Sequence, residues 1–512
     1  MIELKDLIRI IRKKGHRSIQ LVNFNFRKKE TSKDNLLYQG ILNEAYLTDD
    51  AAANDLFDAD PGNRNYRNAK SKLKSKLLNH LFFLDYEKES YTCYEQCRYD
   101  SERTLLQAKI LTMENAHEIA QKLLPSLIRT AKEYELYEVL IPALELEKNY
   151  HSSQGKITPF LEKRAELAEY RLKLRALQSS EDLYYEKLVH IHKSVSAQKR
   201  VLDTIPQTIE QIHHIAERVE SESINIIGHK LSILYYQLNW DYEKSLELCT
   251  HLEDTYLNRP NSEVTVDLHQ KRIVFAKLYC YIYLENVLEG IPYANRKQAL
   301  FKPSHSDWFT FMEYYILLLF KGEQYEDAAK AFRKVRTNKN FNNQAQEVKD
   351  RWTIYRIYLI YFNETKILSW GFNQEEFLQS KPDYPKEYES FNIAYLTAQS
   401  LFLLRQGSIR EFKDSVNALS AYKSSHLDKR NNYRSSVFIR LLEIVVEKEF
   451  DFDRVQEKGT TYYQKLADTK IPSDIETEME VVPYERLWLR VLHILKTNKA
   501  YVHYQFYNAQ AI

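Results

Sequence analysis

The stretch GEQYEDAAKAFRKV, residues 322–335, carries the clearest fold signal in the chain. Four of its apolar positions stand at offsets of 0, 3, 7 and 10, which places them on one face of a helix: Tyr325, Ala328, Phe332 and Val335. The preceding segment, WFTFMEYYILLLFK (308–321), has an apolar face of its own. Gly322 lies between the two, where the end of a helix favours a residue that tolerates a positive φ. The stretch therefore predicts two helices joined by a tight turn.

The same four offsets recur elsewhere in the chain. The residues that open the successive patterns are His117, Tyr242, Tyr325, Ile409 and Phe452. They are separated by 125, 83, 84 and 43 residues, which is close to three, two, two and one units of about 42 residues. No clear match stands near 283 or 367, where intermediate units are expected. This spacing predicts an array of paired helices rather than one isolated hairpin.

The composition favours helices with short connections. Only 10 glycines and 12 prolines occur in 512 residues, about 2% each, against usual shares of roughly 7% and 5%. Folds that are rich in strands need many turns with glycine or proline, so the scarcity argues for an all-α chain. The formal net charge is +2, which provides no global field for nucleic acid or membrane.

Two segments resemble tetratricopeptide repeats. The matching positions are Gly322, Tyr325, Ala328 and Phe332 in 308–336, and Tyr242, Ser245 and Pro260 in 229–260. Ser245 replaces the usual alanine, and Pro260 falls slightly late. The resemblance implies an irregular, tetratricopeptide-like α-solenoid of antiparallel helical hairpins, whose concave face would bind a protein or peptide. The layout as a whole also resembles uncharacterised bacterial helical-repeat proteins, which implies no activity.

The first 90 residues differ from the rest. Short helical patterns there surround an acidic stretch and the turn signal Pro61-Gly62. We predict a small helical module at 1–90, compatible with a helix-turn-helix, and a helical-repeat array at 91–512. The first residues contain acids and no long apolar run, so no secretion signal is expected.

The chain offers little catalytic chemistry. Phosphate-binding glycine loops, H-E-x-x-H and G-x-S-x-G motifs do not occur. Cys93 and Cys97 lie four apart, and histidines cluster at 190–192 and 213–214, but these patterns are more typical of packed thiols and solvated helix faces than of metal sites. We predict no catalytic residue, no cofactor and no metal.

Basic residues are concentrated near the N-terminus. Residues 1–33 hold ten Lys or Arg and three acids, and NRNYRNAKSKLKSK (63–76) holds six Lys or Arg and no acid. The candidate contacts to nucleic acid or to an acidic protein partner are Arg64, Arg67, Lys70 and Lys74. The alternative is a plain solvated face, because the acidic stretch from Asp49 to Asp60 can neutralise these charges. The later basic stretch at 424–436 indicates a polar loop.

Aromatic residues recur every three positions in RWTIYRIYLIYFN, residues 351–363. The candidate groove contacts are Trp352, Tyr355 and Tyr358. The alternative for these three side chains is the core between helices.

These patterns favour a non-enzymatic, cytoplasmic scaffold or adaptor that binds a protein partner in the concave face of the array, without membrane insertion. The alternative is a nucleic-acid-linked regulator, in which the basic N-terminal module contacts DNA or RNA and the array senses or oligomerises. The sequence names neither the partner nor the oligomeric state.

Overall fold

The computed structural model describes residues 32–43, 45–83, 93–193, 195–257, 263–362, 371–380, 382, 384, 389–426, 432–469, 479–498 and 501. Within these ranges every regular element is an α-helix or a short 3₁₀ helix, and none is a strand. The all-α prediction is confirmed for this part of the chain. The basic segment at 1–31 lies outside the described residues.

The chain divides into two compact units, Met1–Arg171 and Leu172–Ile512. The dividing point falls within one long helix, Ile157–Lys193, labelled α7 below. The boundary predicted at residue 90 falls at 84–92, outside the described residues, and stays a prediction.

Among the described residues, the first unit contains two short helices followed by longer ones, and most of these pack against a sequence neighbour. Its helices are α1 (Lys33–Leu42), α2 (Asp49–Phe57), α3 (Arg64–His80), a 3₁₀ helix (Leu81–Phe83), α4 (Cys93–Met113), α5 (His117–Glu133), α6 (Tyr137–Ser153) and the first part of α7.

The second unit contains the rest of α7 and a succession of paired helices. They are α8 (Val195–Leu202), α9 (Ile205–Val219), α10 (Glu222–Leu238), α11 (Tyr242–Leu257), α12 (Glu263–Tyr283), α13 (Val287–Lys297), a 3₁₀ helix (Gln298–Leu300), α14 (Ser306–Lys321), α15 (Tyr325–Arg336), α16 (Gln346–Phe362), α17 (Gln374–Gln379), α18 (Glu389–Gln406), α19 (Ile409–His426), α20 (Tyr433–Glu447), α21 (Phe452–Ala467) and α22 (Tyr484–Thr497).

From α10 to α21 the helices can be taken two at a time, and in five of the six successive pairs the two helices pack against each other. The first helix of each pair begins at Glu222, Glu263, Ser306, Gln346, Glu389 and Tyr433, at intervals of 41, 43, 40, 43 and 44 residues. Each residue that opens a pattern in the sequence also begins a helix here. Near the two positions without a clear match in the sequence, α13 begins at Val287 and α17 at Gln374.

One turn geometry closes nine of the described helix–helix connections. A residue with positive φ follows the helix, and the next amide donates to the carbonyl five residues back, as in a Schellman motif. The positive-φ residues are Asn115, Glu135, Gly155, Glu220, Trp240, Glu285, Glu323, Gly407 and Glu449. Most of these positions are not glycine, so the turns are weakly marked in the sequence.

The turn after α14 corrects the role predicted for Gly322. Gly322 has φ −84°, whereas Glu323 has φ +55°. Gly322 is small for a different reason: a Cβ there would stand 2.9 Å from Cδ1 of Ile291. The glycine therefore permits α14 to approach α13 closely, and the glutamate takes the left-handed conformation.

Candidate functional site

Helices α2 and α3 begin at side-chain caps, and they pack with α1 around a small core. The Thr48 hydroxyl accepts a hydrogen bond from the Ala51 amide at 3.2 Å and caps α2. The Asn63 side chain accepts from the amides of Asn65 and Tyr66 and caps α3. The helices enclose a small core of Leu37, Ala52, Ala53, Leu56, Tyr66 and Leu73. We call α1–α3 with the following 3₁₀ helix the N-terminal module.

A cleft of about 370 Å³ lies on the N-terminal module. We call it the leucine cleft, and its lining residues are Leu37, Ile41, Asp49, Tyr66, Lys70, Leu73, Lys74, Leu77, Leu78 and Leu81. Leu37 and Leu73 are buried, while Ile41, Leu78 and Leu81 are 53, 51 and 52% exposed. A soluble helix normally turns such residues inward, so this is a continuous apolar surface that the described chain leaves open to solvent.

The four basic residues predicted as contacts all lie on α3 and are exposed: Arg64, Arg67, Lys70 and Lys74. The structure brings Lys70 and Lys74 to the leucine cleft. The Lys70 ammonium lies 2.7 Å from Asp49, so one predicted contact is paired within the module. Among the described residues, Arg64, Arg67 and Lys74 form no ion pair. The cleft thus has a cationic side.

Two further lysines of α3 are paired with an acid on α1. Lys76 lies 2.6 Å and Lys72 lies 3.6 Å from the carboxylate of Asp34. Burial opposes ionisation of Asp34, but the hydrogen bonds from Lys76 and Ser32 and the charges of Lys76 and Lys72 together outweigh it and hold the pKa of Asp34 below its ordinary value. Three of the six basic residues in 63–76 are therefore paired with acids of the module itself: Lys70, Lys72 and Lys76.

The hydroxyl of Tyr66 joins the same arrangement by donating a hydrogen bond to Asp49. Burial and this carboxylate raise the pKa of Tyr66 to about 12, so the phenol stays protonated near neutral pH. Asp49 accepts from both Tyr66 and Lys70, which fixes the rim of the cleft beside α2.

The three aromatic residues predicted as groove contacts lie instead in the core of the second unit. Trp352 and Tyr355 are 0% and Tyr358 is 2% exposed. The Tyr355 hydroxyl donates to Glu313 at 2.8 Å, and the Tyr358 hydroxyl donates to the Ala394 carbonyl at 3.1 Å. A partner cannot touch these side chains, because α16 is buried on nearly every side.

The C-terminal helix α22 lies against the ends of earlier helices in the second unit. Arg486 donates to the Lys321 carbonyl at the end of α14. Asn498 and Tyr501, just beyond α22, donate to the carbonyls of Arg405 and Leu404 in the last turn of α18, at 3.0 and 2.6 Å. Carbonyls at helix ends lack partners within the helix, so this segment satisfies them. A ligand laid across these ends would meet α22.

A buried arginine fixes the start of α22. Arg434 on α20 is 1% exposed and forms ion pairs of 2.8 and 2.7 Å with Glu480 and Glu485. It also donates to the carbonyls of Leu466 and Thr469, each at 2.6 Å. The sequence indicated a polar loop around this residue, and a lone arginine beside serines and asparagines gave no sign of such a network.

The remaining candidate chemistry is not assembled into a site among the described residues. The Cys93 side chain lies outside them, and Cys97 is half-buried. In the described part of the chain no group of three or more His, Cys, Asp or Glu is placed to hold a metal ion. No helix within it combines the length and apolarity needed to cross a membrane.

Comparison with known proteins identifies no family for this chain. No protein-family model, no curated protein and no solved structure matches the chain.

Proposed function

We propose that the protein is a non-enzymatic scaffold that binds an amphipathic helix of a partner protein in the leucine cleft. The observation that carries the proposal is an apolar cleft left uncovered on the N-terminal module, with exposed Ile41, Leu78 and Leu81 on its walls. Exposed apolar surface of this kind is costly in water and is typical of protein interaction sites.

The shape and charge of the cleft favour a helix with acidic flanks. Leu77, Leu78 and Leu81 stand at the end of α3 with Ile41 opposite, and an amphipathic helix inserts apolar anchors into such a groove at intervals of three and four residues. Lys74, which lies at the cleft without an ion pair among the described residues, provides the positive charge. Aspartate or glutamate beside the partner's anchors would complement it.

We propose that the second unit is an irregular α-solenoid resembling tetratricopeptide arrays. The intervals of 40 to 44 residues between paired helices support this. We place the binding site on the N-terminal module rather than on a concave face of the array, because the exposed apolar cleft lies there. A cytoplasmic location remains part of the proposal.

The test is affinity capture with the full-length protein from an extract of its native cells. The informative pair is Leu78→Glu in the cleft and Leu489→Glu on α22, because the two leucines are 51 and 53% exposed. We expect Leu78→Glu to lose a protein that both the wild type and Leu489→Glu retain. The captured protein, once purified, should bind Leu78→Glu at least about tenfold more weakly.

Two results would count against the proposal. One is equal retention of every stoichiometric partner by wild type and Leu78→Glu. The other is a purified partner whose affinity is unaffected by Leu78→Glu and by Lys74→Glu. Circular dichroism of each variant checks that the N-terminal module remains folded.

The nucleic-acid alternative rests on the exposed Arg64, Arg67 and Lys74, which have no ion pair among the described residues. The pairing of Lys70 with Asp49 and of Lys72 and Lys76 with Asp34 weakens it. It predicts salt-dependent binding to DNA, RNA or heparin that is lost in Lys70→Glu/Lys74→Glu. Absence of binding at low salt would eliminate this alternative.

A further inference from the structure

A second cleft, of about 410 Å³, lies in the second unit where the end of α7 meets α8. Its lining residues are Glu186, Lys187, His190, Lys193, Ala197, Arg200, Val201 and Thr204. The residues from α7 fall at offsets of 0, 1, 4 and 7, and those from α8 and the residue before α9 fall at 0, 3, 4 and 7. Two helix faces therefore converge on one concave space. We call this space the basic cleft.

The charges around the basic cleft are unbalanced. The cleft is lined by Lys187, Lys193, Arg200 and His190, and Glu186 is the one acid among the described residues of its lining. Glu186 forms an ion pair with Lys187, with the two charged groups 3.3 Å apart. The lining thus has an excess of positive charge even with this pair formed.

Lys187 is more buried than a typical surface lysine. Its side chain is only 11% exposed, whereas the side chain of its partner Glu186 is 59% exposed. A lysine ammonium normally extends into water. Here the chain holds it against the wall of a cleft that also contains Lys193 and Arg200. Clefts lined by one sign of charge focus the field and concentrate counter-ions.

We propose that the basic cleft binds a small molecule that carries phosphate groups. Its volume is in the range of small-molecule sites, and lysine and arginine are the side chains that recognise phosphate oxygens. The Thr204 hydroxyl donates to the Val201 carbonyl at 2.8 Å, so the cations rather than this hydroxyl provide the recognition. This site is independent of the leucine cleft and of the scaffold proposal.

The probe is inorganic pyrophosphate, titrated into the full-length protein by isothermal calorimetry at constant ionic strength. We expect one site with a dissociation constant below about 1 mM. Lys193→Glu and Lys187→Met should each weaken binding by at least roughly tenfold. Arg175→Glu is the matched control, because Arg175 is an exposed residue of the same helix α7 outside the cleft lining, and it should bind like the wild type.

Three results would overturn the proposal. The first is no saturable heat of binding for the wild type. The second is an equal loss in Arg175→Glu and Lys193→Glu, which would reflect net charge alone. The third is sulfate binding as tightly as pyrophosphate, which would mean an adventitious ion only. Thermal denaturation of Lys187→Met and Lys193→Glu, compared with the wild type, verifies that each variant is folded, and a second neutral variant, Lys193→Gln, separates charge loss from charge reversal.

Discussion

The N-terminal module and the C-terminal helices each present an amphipathic helix with a leucine-rich face, but only one of these faces is covered. On α22, Leu487, Trp488 and Val491 are 1, 2 and 0% exposed. On α3, Leu77 and Leu78 remain substantially exposed beside a cleft. Covered apolar surface stabilises the fold, whereas uncovered apolar surface is available to a partner. The contrast separates structural residues from candidate binding residues.

The ion pairs of the two regions also differ in burial. Arg434 is buried with Glu480 and makes several hydrogen bonds to backbone carbonyls. Lys70 and Asp49 form a pair whose side chains are about half exposed. Removing one member of a buried pair leaves an uncompensated charge in the interior, while a surface pair contributes little.

The largest effect is expected for Arg434→Leu. It leaves the Glu480 carboxylate, 1% exposed, without its cation, so the free energy of unfolding should fall by about 3–5 kcal/mol. Urea denaturation followed by circular dichroism measures this. Arg440→Leu on the same helix is the control, because Arg440 pairs with the half-exposed Glu447 and with Glu443, which keeps Lys423 as its other cation. Its cost should stay near or below about 1 kcal/mol. An equal loss of unfolding free energy in the two variants would contradict the structural role assigned to the buried Arg434.

A matched pair of leucine truncations tests the comparison directly. Leu487→Ala should lower the free energy of unfolding by about 2–5 kcal/mol, because Leu487 is 1% exposed and its loss opens a cavity. Leu78→Ala should change it by less than about 0.5 kcal/mol. A large destabilisation by Leu78→Ala would show that another part of the chain covers the leucine cleft.

The close contact between α21 and α22 gives a prediction of intermediate size. A Cβ at Gly459 would stand 2.5 Å from the indole of Trp488. Gly459→Ala should therefore destabilise by about 1–3 kcal/mol through overpacking, despite the better helix propensity of alanine. Lys458→Ala, at an exposed position of the same helix, is the control. Partial rescue of Gly459→Ala by Trp488→Leu would identify the indole as the obstacle.

The smallest effect concerns the N-terminal module and depends on pH. Because the pKa of Asp34 is lowered in the fold, its contribution to stability is present above the ordinary pKa near 3.8 and is lost as the pH falls through the folded value. Asp34→Asn should cost about 1–2 kcal/mol at pH 7, and the difference from wild type should shrink towards pH 2–3. A difference that stays constant down to that pH would contradict an ionic role.

The helix pattern was largely predictable from the sequence, because the offsets of 0, 3, 7 and 10 reflect burial of one helix face. His117, Tyr242, Tyr325, Ile409 and Phe452 each begin a helix as the spacing predicts. The helices at Val287 and Gln374 gave no clear pattern. The second of these contains only 6 residues, which is too short for a full set of offsets. The turns were hidden because most of their positive-φ residues are not glycine.

The site was less predictable, because exposure depends on what neighbouring helices cover. Trp352, Tyr355 and Tyr358 resemble contact residues in the sequence, but helices on several sides bury them. Leu77, Leu78 and Leu81 resemble core residues, yet they line an open cleft. Of the four predicted basic contacts, Lys70 and Lys74 lie at that cleft, and only their charge could be read from the sequence.

Site-specific photo-crosslinking in native cells tests directly whether the leucine cleft is the binding site. A photoreactive amino acid replaces Leu78 in the leucine cleft or Leu489 on α22, two positions of nearly equal exposure. We predict one discrete protein adduct from position 78 that is absent from position 489 and is lost when Lys74→Glu is added. An adduct formed from position 489 alone, or equally from both positions, would contradict the assignment of the leucine cleft as the binding site.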